Sequence, residues 1–153
     1  MEGQVFTSSA GTLRCKKIIH AVGPKWQGGH LQEERTLYAC IDNCFDEAEN
    51  HNLQYLAIPP ISTGIFGYPL NSAVRTIVQV LQDRDRKKNF LPKRVAFVDN
   101  KEDSLLLFQK QLSERYQPTP QTQVDTSFPP VPPRQQTGLS TRAQGNLLLK
   151  QVI

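Results

Sequence analysis

Three short apolar runs in the first 116 residues alternate with longer segments of helical periodicity. The runs are Lys17–Val22, Tyr55–Ile61 and Arg94–Val98. Each is largely continuous rather than alternating, which is typical of a strand that is buried on both faces. In the segments between and after them, apolar residues recur three and four positions apart, as on one face of an α-helix. This repeated order predicts an α/β fold in which parallel strands are joined by right-handed crossovers.

The segments that follow the runs predict three helices with clear apolar stripes. The first helix fades near Asn50, and the third begins near Asp103 or Ser104. A short edge strand and turn are predicted before the first run, at Gln4–Thr7 and Gly11. The stripes are Leu37, Ile41, Cys44 and Ala48 in the first helix, Leu70, Val74, Ile77, Val78 and Leu81 in the second, and Leu105, Phe108 and Leu112 in the third.

The composition changes after residue 116. More than half of the chain's 11 prolines lie in residues 117–153. Proline removes a backbone donor and breaks helices and central strands, so this part is predicted to be a disordered, Pro-rich tail. Within it, Pro129–Arg134 has the spacing of a polyproline ligand for an SH3-type domain. The predicted organisation is therefore one domain at residues 1–116 and a tail at residues 117–153.

Charge and hydropathy narrow the possible partners. The net charge is +4, and its densest stretch is Arg84–Lys88, which is interpreted as a solvated loop or as a basic patch. No aromatic residues interleave these charges as a single-strand binding platform requires, so we expect no nucleic-acid binding. No apolar run approaches the roughly 18 residues that span a membrane, and Met1–Val5 does not resemble a signal peptide. We expect no membrane partner and a location in the cytoplasm, the nucleus or both.

The 3 cysteines, Cys15, Cys40 and Cys44, indicate neither a disulfide framework nor a metal site. Cys40 and Cys44 lie four apart on a predicted helix, but no second Cys or His pair completes a ligand set. We expect them to be buried as small apolar side chains, and we expect no bound metal.

The segment Ile61–Pro69 carries the strongest chemical signal. It joins a buried strand to a helix and contains two glycines. Such a turn lets the backbone approach an anion, and free N–H groups at the helix start favour phosphate. In parallel sheets ligands bind beyond the carboxyl ends of the strands. The candidate binding residues are therefore Ser62, Thr63, Gly64, Ile65, Phe66, Gly67 and Tyr68 after the second strand, and Asp99 and Asn100 after the third.

Together, Ala10–Trp26, Ile58–Pro69 and Val95–Val98 resemble the macrodomain family of ADP-ribose-binding modules, most closely those in tandem within large ADP-ribosyltransferases. The resemblance implies a three-layer, mixed sheet flanked by helices, with an ADP-ribose cleft at its carboxyl edge. It implies that the Ser62–Tyr68 loop wraps the diphosphate and distal ribose through backbone N–H groups. Phe66 would then pack beside the distal ribose, and Asp99 or Asn100 would lie near the adenosine end.

The chain departs from the family pattern at its start. A complete member begins with a strand ending in Gly-Asp-Ile-type residues, a second strand ending in Asn-Ala-Ala-Asn and a glycine-rich first phosphate loop. None of these precedes Gly3. We therefore expect residues 1–116 to form a partial macrodomain that lacks the first strands and binds more weakly.

Three functions remain open. The first is recognition of ADP-ribose, free or attached to a protein, with no cofactor besides that ligand. The second is an interaction or scaffold fragment that binds no ligand, and the third is a mono-ADP-ribosyl hydrolase. The Ser62–Tyr68 loop contains no carboxylate, His20 lies mid-strand, and no His–Asp pair stands at nucleophile spacing from Ser62. We therefore expect binding rather than catalysis and assign no catalytic residue.

Overall fold

The computed structural model describes residues 1–116 and the backbone of residues 148–152. Every helix and strand predicted within residues 1–116 is confirmed, with ends that shift by a few residues. In chain order the described elements are β1 (Val5–Ser9), β2 (Lys17–Ala21), α1 (Glu33–Asn50), β3 (Tyr55–Ile58), α2 (Leu70–Lys87), β4 (Arg94–Asp99), α3 (Glu102–Arg115) and β5 (Leu148–Val152).

The described strands form two small sheets. In the first, β3 pairs with β4 in parallel and β5 pairs with β4 in antiparallel, so this sheet is mixed as predicted. In the second, β1 and β2 form an antiparallel pair. The prediction that β2 joins the parallel strands is wrong for the described residues, where β2 pairs with β1 alone. An apolar run indicates that a strand is covered, but it does not specify which strand lies beside it.

Strand β5 corrects the predicted tail at five residues. Residues 117–153 were expected to be disordered, yet β5 pairs with β4 from Asp99↔Leu148 to Ala96↔Val152. The physical reason is that β4 presents unpaired backbone groups on the edge that β3 does not use, and an added strand satisfies them. The Pro129–Arg134 segment lies outside the described residues, so its SH3-type partner stays a prediction. The domain boundary at residue 116 stays a prediction as well.

The hydrophobic core lies between the three helices and the β3–β4 pair. Its largest fully buried side chains are Phe45 from α1, Phe97 from β4 and Phe108 from α3. The rings of Phe97 and Phe108 stack with centroids 4.4 Å apart. Burial of one such side chain stabilises the fold by about 1.5–3 kcal/mol. Cys40 and Cys44 are buried, as predicted.

The β1–β2 sheet attaches to α1 through polar contacts. The Thr7 hydroxyl donates to the Glu47 carboxylate, and the Asn43 side-chain amide donates to the Gly3 carbonyl at 3.0 Å. No residue of β1 or β2 belongs to the described core cluster. Among the described residues, none of the helices combines the length and the apolar content that crossing a membrane requires.

Candidate functional site

The loop between β3 and α2 is a compact turn with two left-handed residues. Ser62 has φ 67° and Gly67 has φ 66°. The Gly67 N–H donates to the Gly64 carbonyl at 2.9 Å, and the Tyr68 N–H donates to the Ser62 carbonyl at 3.0 Å. Glycine adopts such a backbone readily, whereas serine does so at a cost in free energy. The loop is therefore closed by its own hydrogen bonds before α2 begins.

The tip of this loop exposes backbone donors. The N–H groups of Gly64, Ile65 and Phe66 take part in no hydrogen bond among the described residues. Ile65 is fully exposed, and Phe66 is 42% exposed. A Cβ atom added at Gly64 would meet no atom within 4 Å, so the backbone there borders open space. Exposed, unused N–H groups of this kind are donors for an anion.

Ser62 lies at the base of the loop in a close contact with Gly23. Its hydroxyl is buried and has no hydrogen-bond partner among the described residues. A Cβ atom added at Gly23 would stand 2.2 Å from the Ser62 Oγ, so the contact requires glycine. A buried hydroxyl without a partner is uncommon, and it offers a polar group to a bound water or ligand. Gly23 directly follows the first apolar run, Lys17–Val22, and the sequence pattern does not indicate its contact beneath the loop.

Tyr68 and Trp26 support the loop from the core side. Tyr68 is 2% exposed, and burial raises the pKa of its hydroxyl. Its ring meets the Trp26 ring edge-on, with centroids 5.0 Å apart. The backbone N–H of Trp26 donates to the Phe66 carbonyl at 2.9 Å. The side chain of Tyr68 thus supports the loop from within the core instead of lying on its exposed side. Trp26 supports the loop as well, and its position in the sequence does not indicate this role.

Glu33 shapes the segment that carries Trp26. Its carboxylate accepts the N–H groups of Gln27 at 3.1 Å, Gly29 at 3.0 Å and Leu31 at 2.6 Å. Burial raises the pKa of Glu33, but these backbone donors outweigh burial and hold the pKa below its ordinary value. The sequence signal for this role is an acidic residue in the first turn of α1, four positions after Gly29.

Asp99 and Asn100 lie at the same sheet edge as the loop. Because β3 and β4 run in parallel, the carboxyl end of β4 lies beside that of β3. The Asp99 carboxylate accepts the Asn100 N–H at 2.7 Å and also the Ser104 hydroxyl at the start of α3. Asp99 is thus engaged within the protein, while Asn100 is exposed. The structure brings all nine candidate residues to one edge of the sheet.

The imidazole of His20 lies away from the loop. The Nε2 atom of His20 is 2.8 Å from the Ser8 hydroxyl, and its ring stacks on Phe6 in the β1–β2 sheet. In the part of the chain that the structure describes, no group of three His, Cys, Asp or Glu side chains could hold a metal ion. The loop itself offers the free N–H groups of Gly64, Ile65 and Phe66 as hydrogen-bond donors.

Comparison with known proteins identifies the family to which the chain belongs. The Macro domain family model matches residues 1–77, and the chain belongs to this family. It is 41% identical over 113 residues to an O-acetyl-ADP-ribose deacetylase of Enterobacter sp. (strain 638), covering 74% of this chain and 62% of that protein. It is 35% identical over 113 residues to the enzyme of the same name from Salmonella typhimurium, covering 74% and 63%. The chain thus spans less than two thirds of the length of these curated relatives.

Solved structures confirm the α/β macrodomain fold. The Oceanobacillus iheyensis macrodomain with MES bound matches with a TM-score of 0.68 and 27% identity, over 74% of this chain and 59% of that one. A point mutant of the same macrodomain with ADPR matches with a TM-score of 0.68 and 28% identity, over 74% and 60%. The macro domain of ganglioside induced differentiation associated protein 2 matches with a TM-score of 0.60 and 23% identity, over 73% and 56%, which supports the fold alone.

Proposed function

We propose that the Ser62–Tyr68 loop recognises the diphosphate of ADP-ribose, either free or attached to a protein. The observation that carries this proposal is the run of unused N–H groups at Gly64, Ile65 and Phe66 on an exposed turn. Membership of the Macro domain family supports it, as does the solved relative with ADPR.

The strength of the contact between the loop and the diphosphate follows from the negative charge of the phosphate oxygens. A hydrogen bond from a backbone N–H to a charged oxygen contributes about 1.5–3 kcal/mol, so a few such bonds can support measurable binding. In this proposal Phe66 packs against the distal ribose, since its ring is partly exposed beside the free donors. Asp99 or Asn100 lies toward the adenosine end, because both follow β4 at the same edge.

Substitution at Gly64 tests the loop directly. Gly64→Glu places a carboxylate beside the diphosphate, and we expect isothermal titration calorimetry with ADP-ribose to show at least a tenfold loss of affinity. Gly64→Ala is the matched control, because a Cβ there meets no atom within 4 Å and should change affinity only slightly. Equal affinity for the Glu variant and the wild type would show that the loop does not hold the ligand. Absence of binding by the wild-type chain would contradict the proposal altogether.

A second candidate is hydrolysis of an ADP-ribose ester, which the names of the curated relatives favour. In such a reaction the free N–H groups of the loop would stabilise negative charge that develops on the substrate. The reaction also needs a positioned base or water, which the described residues at the loop do not themselves supply. Incubating the chain with O-acetyl-ADP-ribose and measuring acetate release tests this candidate, and a mono-ADP-ribosylated protein tests the ribosyl hydrolase. Release that persists in Gly64→Glu would place the reaction outside this loop.

We further propose that the chain is related to macrodomains found in tandem within ADP-ribosyltransferases and acts in the cytoplasm or nucleus. Immunofluorescence of the tagged chain before and after ADP-ribosylation is induced tests the location. If neither binding nor turnover is detected, the interaction or scaffold function replaces both candidates.

A further inference from the structure

A pocket lies between the first turns of α1 and α2 and the segment that carries Trp26, and we call it the Trp26 pocket. Its volume of about 600 Å³ is within the range of about 300–1,000 Å³ that is usual for small-molecule sites. Gly64, Ile65 and Phe66, which carry the free N–H groups of the loop, are not among its lining residues. The Trp26 pocket is therefore separate from the proposed diphosphate site.

Two partly exposed aromatic residues, Trp26 and Tyr38, line the Trp26 pocket. The Trp26 ring meets the Tyr68 ring edge-on, and a Cβ atom added at Gly29 would stand 2.9 Å from it. The Tyr38 ring is held by its hydroxyl, which donates to Asp83 at 3.0 Å. Because contacts within the protein fix both rings, a planar ligand can pack against them with little loss of side-chain freedom.

Two arginine residues line the same pocket. Arg35 is exposed and has no hydrogen bond or ion pair among the described residues. Arg75 contacts the Glu34 carboxylate at 3.4 Å through one nitrogen, and both of these side chains are exposed. An exposed ion pair of this kind contributes little to stability, so the other donors of Arg75 remain available to an anion. Guanidinium groups suit phosphate because their N–H donors lie in one plane.

The Trp26 pocket also offers neutral polar groups. The Gln32 side chain makes no cap hydrogen bond to α1, and the Ser72 hydroxyl takes part in no hydrogen bond within the described part of the chain. The polar edge of a nucleobase and the hydroxyls of a ribose need partners of this kind. The phenyl ring of a phosphotyrosine has no such groups, so the lining favours a nucleotide over a phosphorylated side chain.

We propose that the Trp26 pocket is a second ligand site, which binds a nucleoside monophosphate. The base packs against Trp26 and Tyr38, and Arg35 and Arg75 bind the phosphate. This combination of aromatic rings, guanidinium groups and free polar side chains in one pocket matches the three chemical parts of such a ligand. The proposal is independent of ADP-ribose recognition, since the free N–H groups of the loop lie outside the pocket.

Trp26 is the single tryptophan of the chain, so intrinsic tryptophan fluorescence reports directly on this pocket. Titration of the full 153-residue chain with adenosine monophosphate should give a saturable change in that fluorescence. Adenosine lacks the phosphate and ribose 5-phosphate lacks the base, so each should bind about tenfold more weakly or worse. Equal binding of either compound would refute joint recognition of base and phosphate, and equally tight binding of O-phosphotyrosine would refute a nucleotide as the ligand. No fluorescence change with adenosine monophosphate would overturn the proposal.

Arg35→Ala and Arg86→Ala form a matched pair of variants. Arg35→Ala removes a guanidinium from the pocket, so affinity for adenosine monophosphate should fall about tenfold or more. Arg86 is exposed in the last turn of α2 and does not line the pocket, so Arg86→Ala makes the same change in net charge and should bind like the wild type. Circular dichroism establishes that both variants fold. Equal affinity of the two variants would refute the role of Arg35.

Gly64→Glu separates this pocket from the loop. The variant should keep the fluorescence response to adenosine monophosphate, because Gly64 does not line the Trp26 pocket. Loss of that response in Gly64→Glu would place the nucleotide at the loop and overturn the second site. Calorimetry with ADP-ribose on Arg35→Ala tests the loop separately, and its affinity should match that of the wild type.

Discussion

The β3–β4 pair and the β1–β2 pair are made from similar apolar runs but are held in place by different forces. Val95 and Phe97 of β4 lie under the helices with less than 5% of their surface exposed. Ile18 and Ile19 of β2 are only half-buried, and this pair reaches α1 through the Thr7–Glu47 and Asn43–Gly3 hydrogen bonds.

This difference separates two kinds of stability. Apolar burial is insensitive to pH and scales with the area removed from water. A few polar contacts contribute about 0.5–1.5 kcal/mol each, depend on protonation and leave a sheet free to open locally. The β3–β4 pair should therefore open with the whole fold, and the β1–β2 pair should open before it.

The largest expected loss of stability comes from removing one ring of the Phe97–Phe108 stack in the core. Phe97→Ala should lower the free energy of unfolding by about 3–5 kcal/mol, because it leaves a cavity against Phe108. The matched substitution in the other sheet is Phe6→Ala, where the ring is 56% exposed, and it should cost about 1 kcal/mol or less. Urea denaturation of both variants measures the two values. Equal costs would mean that the two sheets belong to one cooperative core.

A smaller loss of stability is expected at high pH, where a contact between α1 and α2 is weakened. The Tyr38 hydroxyl donates to Asp83 at 3.0 Å, and burial together with this carboxylate raises the pKa of Tyr38 to about 12. The folded chain thus holds this proton more tightly than the unfolded chain, whose tyrosine titrates near 10. The stabilisation is complete below pH 10 and is lost as the pH rises toward 12.

Thermal melts of the wild type and Tyr38→Phe across this pH range measure the loss. The variant should show a shallower fall in melting temperature, because it has no proton to lose at this position. The same slope in both proteins would show that the contact between Tyr38 and Asp83 is not formed in solution.

The smallest effect is local and acts on the β1–β2 sheet at low pH. The Thr7 hydroxyl lowers the pKa of Glu47 below its ordinary value of 4.5, with further help from Asn50 and His51. The contribution of Glu47 is present above pH 4.5 and is lost as the pH falls through the folded-state pKa. Hydrogen exchange at the amides of β1 should then accelerate, while the amides of β4 stay protected. Glu47→Gln should remove this pH dependence, and equal acceleration in both strands would contradict the separation of the two sheets.

Local pattern predicted the elements well but not their pairing. The spacing of Leu37, Ile41 and Cys44 predicts α1 because a helix exposes one face to the core, and that relation needs no distant partner. The neighbours of β2 and the pairing of β5 with β4 depend on which strand edges remain free. That property arises only after the chain has folded, so no local pattern specified it.

The candidate site was predictable only in part, because local pattern marks the loop itself but not the distant residues that support it. The glycines at positions 64 and 67 marked the loop, and Gly67 has the positive φ that favours glycine in a turn. Trp26 and Gly23 support it from positions far away along the chain, and no local pattern links them to it. Ser62 adopts a left-handed backbone that its residue type does not suggest.

Glu33 determines the shape of the segment before α1 by accepting only backbone donors. The side chains at positions 27 and 31 take no part in these three bonds. Both residues can therefore be substituted during evolution without altering the turn. Glu33 itself cannot be substituted in this way. Glutamine would supply one neutral acceptor oxygen, whereas the Glu33 carboxylate accepts three hydrogen bonds. The shape of this segment therefore depends on the single residue Glu33. A substitution there would displace Trp26 and the loop that Trp26 supports.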